Sequence, residues 1–361
     1  MKQWHETRGV LDFVARVRAA GQRAALATVV RVRGSAYRHE GAKLAVAADG
    51  TSAGNVSGGC LEQDVREVAL GVLRSGVPVL RSYCSSADEV EAWDLGVGCE
   101  GQVDVFVEPA EPRPRERELL EGRASFVVAS LLATEAAGRG RRLIVTEGGA
   151  EGDLGSAELE RAASTRACEL LGSEQSVLVE LAGRSVFFDV LAPPPQLIVL
   201  GGGDDARPLV HYAADVGFRV VVVDRRPGYL SAQRFPDAAA LVRSAGDDLA
   251  DALPLDRECY AVIMTHNFAD DRAYLRALVQ SAASYVGVLG PRQRTERLLR
   301  TVAAEASVDE ERVYGPVGLD IGTDGAEQVA LAVIAEILAV RSGRRPRSLR
   351  ERSIPIHTPT D

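Results

Sequence analysis

Residues 197–209, LIVLGGGDDARPL, set the strongest constraint on the fold: a short run of β-branched and aliphatic residues enters a glycine turn and then a helix. Gly201, Gly203 and Ala206 fall in the spacing G-x-G-x-x-A. Small residues there let a backbone turn approach a phosphate, and the start of the following helix offers amide donors and positive potential. The next apolar run, RVVVVD (219–224), ends in Asp224, where an acid can accept hydrogen bonds from a ribose. AVIMT (261–265) and SYVGVLG (284–290) continue the series, with amphipathic stretches between. This alternation predicts a parallel sheet covered on both faces. The fold class is therefore α/β, with a C-terminal Rossmann-like domain over 196–341. A phosphate-bearing ligand is expected, and NAD(P) or another nucleotide is one candidate. Two features point away from NAD. Asp204 and Asp205 crowd negative charge at the turn, and RRPGYLSAQRFPD after Asp224 does not read as an ordinary adenine pocket.

Ligands in such folds sit at the carboxyl ends of the strands. His266, in MTHNFADD, follows one strand and can contact a ligand, act as an acid–base group or simply brace its loop. Arg292, in GPRQR, opens a cation-rich helix after a glycine; it suits an oxyanion, and it equally suits a solvated surface. GPVGLDIG (315–322), carrying Asp320, precedes the last apolar helix (326–340) and is expected to close the same crevice. Residues 342–361, rich in Arg and Pro, read as a mobile tail.

Before the stiff Pro193-Pro194-Pro195 linker, residues 1–193 form an N-terminal α/β module with an opening helix over 9–20 and a degenerate internal repeat. In the copy over 24–109, ALATVV, AKLAVAADG and VDVFVEP bracket a glycine-rich turn and an amphipathic helix. FVVASLLA, RRLIVTEGG and VFFDVLAPPP occupy the matching places in 126–193. The two copies are expected to share one β-α-β topology around a common core. Ser57-Gly58-Gly59-Cys60 and the loop holding Gly98-Cys99 belong to the first copy alone. Cys60 stands at a predicted helix start, a setting that favours thiolate; the alternative is a buried, inert thiol. Cys60 and Cys99 are expected to face one accessible site reachable from the Rossmann crevice, within one protomer or across a dimer.

A net charge of −9 argues against a nucleic-acid surface or a polybasic membrane anchor. MKQWHETRGVLDFV lacks a signal-peptide core and no apolar run reaches membrane-spanning length, so the protein is expected in the cytoplasm. Its five cysteines, scattered and odd in number, are expected as thiols. There is no C-x-x-C pair, G-x-S-x-G elbow or Walker loop, and the histidines are dispersed.

SGGCLEQDV, LGVGCEG, PPPQLIVLGGGDDARPLV, MTHNFADD, YVGVLGPRQRTERLL and GPVGLDIG, in this order over about residues 8–343, resemble the XdhC/CoxI family of molybdenum-cofactor maturation and insertion chaperones. The resemblance implies a protein that binds molybdopterin and helps a cysteine desulfurase convert the molybdenum centre to its sulfido form. It would then hand the cofactor to an apo molybdenum hydroxylase such as xanthine dehydrogenase, working as a homodimer. Cys60 and Cys99 become candidates for contacts to molybdenum or its sulfur, supported by Ser57, Gly58 and Gly59. The Gly201–Gly203 turn becomes a candidate for the pterin phosphate. Thiophilic molybdenum suits soft thiolates, and a carrier needs no general acid–base pair. Asp204 stands where the family often has His, and Glu100 where it often has Gly. The competing readings are an NAD(P)-dependent oxidoreductase and a nucleotide-sensing module.

Overall fold

The computed structural model describes residues 2–34, 36–59, 61–84, 101–135 and 138–353. The chain divides into two compact units, Lys2–Pro193 and Pro194–Glu351.

The first unit opens with α1 (Lys2–Ala19), longer at its start than the apolar pattern indicated. Then come β1 (Ala24–Gly34), β2 (Lys43–Ala47), β3 (Ser52–Gly54), α2 (Glu62–Ser75), β4 (Val79–Cys84) and β5 (Gly101–Pro109). These strands form one sheet in the order β3-β2-β1-β5-β4. After α3 (Pro114–Glu121), the chain repeats the path with β6 (Phe126–Leu131), β7 (Arg142–Thr146), β8 (Gly149–Asp153), α4 (Ala157–Leu170), β9 (Val177–Leu181) and β10 (Arg184–Leu191). The second sheet runs β8-β7-β6-β10-β9, the same order. Every pairing in both sheets is antiparallel, so the unit is three strands, a helix and two strands rather than a β-α-β crossover. The short strands escaped the periodicity because they bury little: every residue of β8, GAEGD, is exposed.

Each sheet buries one face under its own helix. Val65, Ala69 and Val72 of α2 pack on Ala25, Ala27 and Val105, and Leu159, Ala163 and Ala167 of α4 on Val127, Ala129 and Val186. There are thus two helix-on-sheet cores rather than one. The opposite faces are joined by α1, whose Val10, Val14 and Val17 cover the first sheet while Trp4 and Leu11 reach Phe126 and Val128 of the second. Phe106 and Phe187 meet beside Val30.

Two buried ion pairs also join the copies, in a reciprocal way. Lys43 of the first copy pairs with Asp189 of the second, and Arg142 of the second lies 3.4 Å from Glu108 of the first. The registers make these equivalent positions. Lys43 faces Thr28 and Glu108 faces Leu26, two residues earlier; Arg142 faces Ser130 and Asp189 faces Val128, again two earlier. Residue i of one copy therefore meets residue j of the other and the converse, the arrangement of a two-fold interface built into a single chain.

The second unit carries β11 (Gln196–Leu200), α5 (Ala206–Asp215), β12 (Arg219–Val223), β13 (Ala240–Val242), α6 (Leu249–Ala252), β14 (Cys259–Ile263), α7 (Phe268–Val279), β15 (Tyr285–Val288), α8 (Arg292–Ala303), β16 (Val313–Tyr314) and α9 (Ala326–Arg341). All pairings are parallel, in the order β13-β12-β11-β14-β15-β16. This is the doubly wound 3-2-1-4-5-6 order. Alternation within β11 sends Leu197 and Val199 to the core under α5 and α9, and Ile198 and Leu200 to the core under α7 and α8. That two-sided burial explains the near-continuous apolar strands. Of the segment read as a tail, residues 354–361 lie outside the described residues.

Candidate functional site

The switch point of the parallel sheet falls between β11 and β14, where successive connections leave in opposite directions. The turn after β11 is shaped by three glycines with different tasks. Gly201 has φ +120°, and a Cβ there would stand 2.6 Å from the Met264 carbonyl oxygen, so only glycine lets β11 end this close to β14. Gly202 packs against Tyr229 and donates its amide to Asp224 Oδ2 at 2.8 Å. A Cβ on Gly203 would meet nothing within 4 Å. The third glycine therefore faces open space.

Asp224, only 4% exposed, sits where the sequence suggested a ribose acceptor. Its Oδ1 accepts from the Arg226 amide at 2.8 Å and from Arg226 Nε at 3.0 Å; its Oδ2 accepts from Gly202 and from Arg226 Nη2 at 2.9 Å. Burial acts to raise its pKa, but the hydrogen bonds from the Arg226 guanidinium and from the Gly202 and Arg226 amides outweigh it and hold the carboxyl below the ordinary aspartate value. Both oxygens thus serve the protein's own turn. Sequence reasoning missed the cations that accompany it. Arg226 lies 3.8 Å over the Tyr229 ring, and Arg234, 5.5 Å from the same ring, donates to Gly202 O and Asp204. The signal was present in RRPGYLSAQR, the segment that did not fit an adenine pocket.

Across the switch point, His266 adopts φ +60°, a left-handed conformation uncommon outside glycine. Its Nε2 lies 3.1 Å from Asp205 Oδ2, at the start of α5. The flanking residues hold this turn. Asn267 caps α7 by accepting the amides of Ala269 and Asp270, and Thr265 donates to the buried Asp271, which also receives Arg294. Arg292 is placed differently: its side chain, 82% exposed, pairs with Glu296 on its own helix. Arg294 of that helix reaches the α7 start, where Arg297 also lies over the Phe268 ring. The GPVGLDIG loop is tied down through Gly318, whose amide donates to Glu336 Oε1 at 3.0 Å while the Tyr285 hydroxyl donates to the same oxygen. Burial, then Glu336, pushes the Tyr285 pKa far up, so it remains a donor. Asp320 is exposed beyond this anchor.

Beside the turn lies a cavity of 280 Å³ between α5, β14 and α9. Leu209, Met264, Leu289, Val329 and Val333 give it apolar walls, and Asp205 is the charged residue on its lining.

In the first unit, the SGG turn is a capping structure. Ser57 Oγ accepts from the amides of Gly59 at 3.1 Å and Leu61 at 3.2 Å and donates to Glu62, whose other oxygen accepts the Ser57 amide at 2.8 Å. Gly58 lies under the Tyr37 ring, and Gly59 has φ +115°. Cys60 and Cys99 lie outside the described residues. The Tyr83 hydroxyl, at the end of β4, donates to Asp64 in the first turn of α2 at 2.6 Å. Among the described residues, no three His, Cys, Asp or Glu side chains converge on a metal site, and no helix is long and apolar enough to cross a membrane.

Comparison with known proteins gives consistent results. Residues 197–337 match the model of the XdhC Rossmann domain, and residues 17–84 that of the XdhC and CoxI family. The chain is 32% identical over 329 residues to a Bacillus subtilis (strain 168) protein named as a probable xanthine dehydrogenase subunit, covering 89% of this chain and 94% of that one. It is 24% identical over 340 residues to the "Molybdenum cofactor insertion chaperone PaoD" of Escherichia coli (strain K12), covering 92% and 88%. A crystal structure described as a xanthine dehydrogenase from Bacillus halodurans superposes with a TM-score of 0.74 at 28% identity, covering 94% of this chain and 98% of that one.

Proposed function

The chain belongs to the XdhC/CoxI family, and from that premise we propose that it is a molybdenum-cofactor chaperone. The observation that carries the proposal is the near full-length match to a relative named as a molybdenum cofactor insertion chaperone. In this reading the protein binds molybdopterin, supports its sulfuration with a cysteine desulfurase and delivers it to an apo molybdenum hydroxylase such as xanthine dehydrogenase. Action as a cytoplasmic homodimer follows from the family resemblance.

The residues present fit such a cargo. The open side of Gly203 leaves room for a phosphate next to backbone amides, and on the β12 side Arg226 and Arg234 offset the charge of Asp224 and Asp204, with which they pair. The apolar cavity on the β14 side offers a dry wall for a ring system. Ser57 holds the turn leading to Cys60, and Cys60 and Cys99 supply thiolates to molybdenum or its sulfur. Asp224 weighs against the second reading, an NAD(P)-dependent oxidoreductase. A ribose diol would have to displace Gly202 or Arg226 from a carboxylate that already accepts four hydrogen bonds.

The test is loading of the purified chain with molybdenum cofactor, scored by retention of the cofactor and by activation of an apo molybdenum hydroxylase. Cys60→Ala and Cys99→Ala are each expected to reduce activation at least tenfold with the melting temperature unchanged. If both variants retain the cofactor and activate the client like the parent, the thiols have no part in the mechanism. Saturable NADH binding with turnover and no cofactor retention would replace the chaperone reading.

A further inference from the structure

Two aspartates at a phosphate-type turn are the feature that the reading above leaves unexplained. They differ in their surroundings. Asp204 is 80% exposed and pairs with Arg234, whereas Asp205 lines the apolar cavity. Oδ2 of Asp205 is steadied by His266 Nε2 at 3.1 Å, from a residue held in a left-handed backbone conformation. Among the described residues no hydrogen bond engages its Oδ1. A phosphate near this carboxylate would be repelled; a ring bearing N–H donors would be attracted.

The cavity also limits what can enter. At 280 Å³ it lies below the usual range for a whole drug-sized ligand and suits a single fused heterocycle. Leu209 and Met264 offer apolar surface for its faces, and one carboxylate at the rim offers two acceptor oxygens in one plane. The matching partner of a carboxylate is a pair of adjacent, parallel N–H donors. A 2-amino-4-oxopyrimidine presents that pair on its ring N–H and its amino group. A ring lacking one donor would leave the carboxylate, half-exposed at the rim, short of a partner.

We propose that this cavity recognises a 2-amino-4-oxopyrimidine ring, the ring shared by pterins and guanine, with Asp205 as its acceptor and His266 as the residue that orients Asp205. This rests on the cofactor-binding reading and assigns the recognition of the cofactor's ring to particular residues.

The experiment titrates the full chain with neopterin, followed by the pterin's own fluorescence, and with guanosine and inosine by calorimetry. Guanosine and inosine differ only in the 2-amino group. The parent is expected to bind neopterin and to prefer guanosine over inosine by at least tenfold. Asp205→Asn, isosteric and half-exposed, is expected to lose that preference and to weaken neopterin at least tenfold. His266→Ala should weaken both amino-bearing ligands by a smaller factor. Tighter neopterin assigns the cavity to pterins, and tighter guanosine assigns it to guanine nucleotides; both support the ring chemistry. Equal binding of guanosine and inosine by the parent, or a preference retained in Asp205→Asn, overturns it. Retention of molybdenum cofactor by parent and Asp205→Asn alike would sink the ring assignment and leave the chaperone reading standing. Failure of the parent to bind the cofactor at all would remove the chaperone reading itself.

Discussion

The two sheets of the first unit have one strand order and one pattern of reciprocal charge, yet they differ at the same end. In the second sheet, β9 turns into β10 through Ala182 and Gly183, both at positive φ, the tightest hairpin available. In the first, the same connection leaves at Cys84, returns at Gly101 and contains Cys99. In the second, the helix is capped simply: Ser156 Oγ accepts the Leu159 amide at 3.2 Å. In the first, Ser57 and Glu62 close a larger knot around Gly58 and Gly59. A shared scaffold that differs at its helix start and in the connection between its last two strands indicates that the scaffold is needed for folding and that this end of the first copy is specialised.

The charge pairs are where the comparison should break most visibly. Asp189 has Lys43 as its cation, with Gln3 as a neutral donor at 2.8 Å. Glu108 has Arg113 at 2.7 Å as well as Arg142. Burial and then the neighbouring Arg113 charge pull the Arg142 pKa down, and Glu108 keeps Arg113 as a partner when Arg142 is lost. Lys43→Met is expected to cost about 3–5 kcal/mol in denaturant unfolding, because it leaves a buried carboxylate unpaired. Arg142→Met should cost less than half as much, and Lys43→Met with Asp189→Leu should recover most of the loss. Equal costs for the two single variants would show that the copies are energetically symmetric after all.

The caps come next. Ser57→Ala removes the buried hydroxyl that accepts the Gly59 and Leu61 amides and should cost about 2 kcal/mol, against about 1 kcal/mol for Ser156→Ala. Thermal unfolding of both variants measures the difference, and a larger loss at Ser156 would reverse the assignment of the more constrained turn. The smallest contrast is steric. Gly59→Ala and Gly155→Ala both force a side chain to positive φ, each at about 1 kcal/mol. Only at Gly155 would the new Cβ also stand 2.4 Å from Arg141 Nη1, so Gly155→Ala should be the worse by a few tenths of a kcal/mol as Arg141 gives way.

Much of the fold was legible in the chain because it depends on local pattern. Two-sided burial demands unbroken β-branched runs, so β11, β12, β14 and β15 announced themselves, and the glycine turn at 201–203 fixed where β11 ends. The repeat was legible because both copies keep apolar residues on matched strands. The short strands β3 and β8 were not, because edge strands bury few side chains and leave no periodic trace. Residue type alone also singled out Arg292 and passed over Arg294, though the first lies against its own helix in solvent and the second meets Asp271.

The sequence by itself determined the alternation of elements, the glycines at positive φ and the small residues of the turn, since each is set by the conformational range of a few adjacent residues. Tertiary structure decided everything that depends on which distant groups share a space. Only folding brings Gly202, Arg226 and Asp224 together and thereby fills the acid that looked free for a ribose. Only folding sets Asp205 at the rim of an apolar cavity within reach of His266, sixty-one positions away. Hydrogen-bond capacity belongs to a residue, but whether that capacity is already taken up is a property of its neighbours, and those are chosen by the packing of the whole sheet.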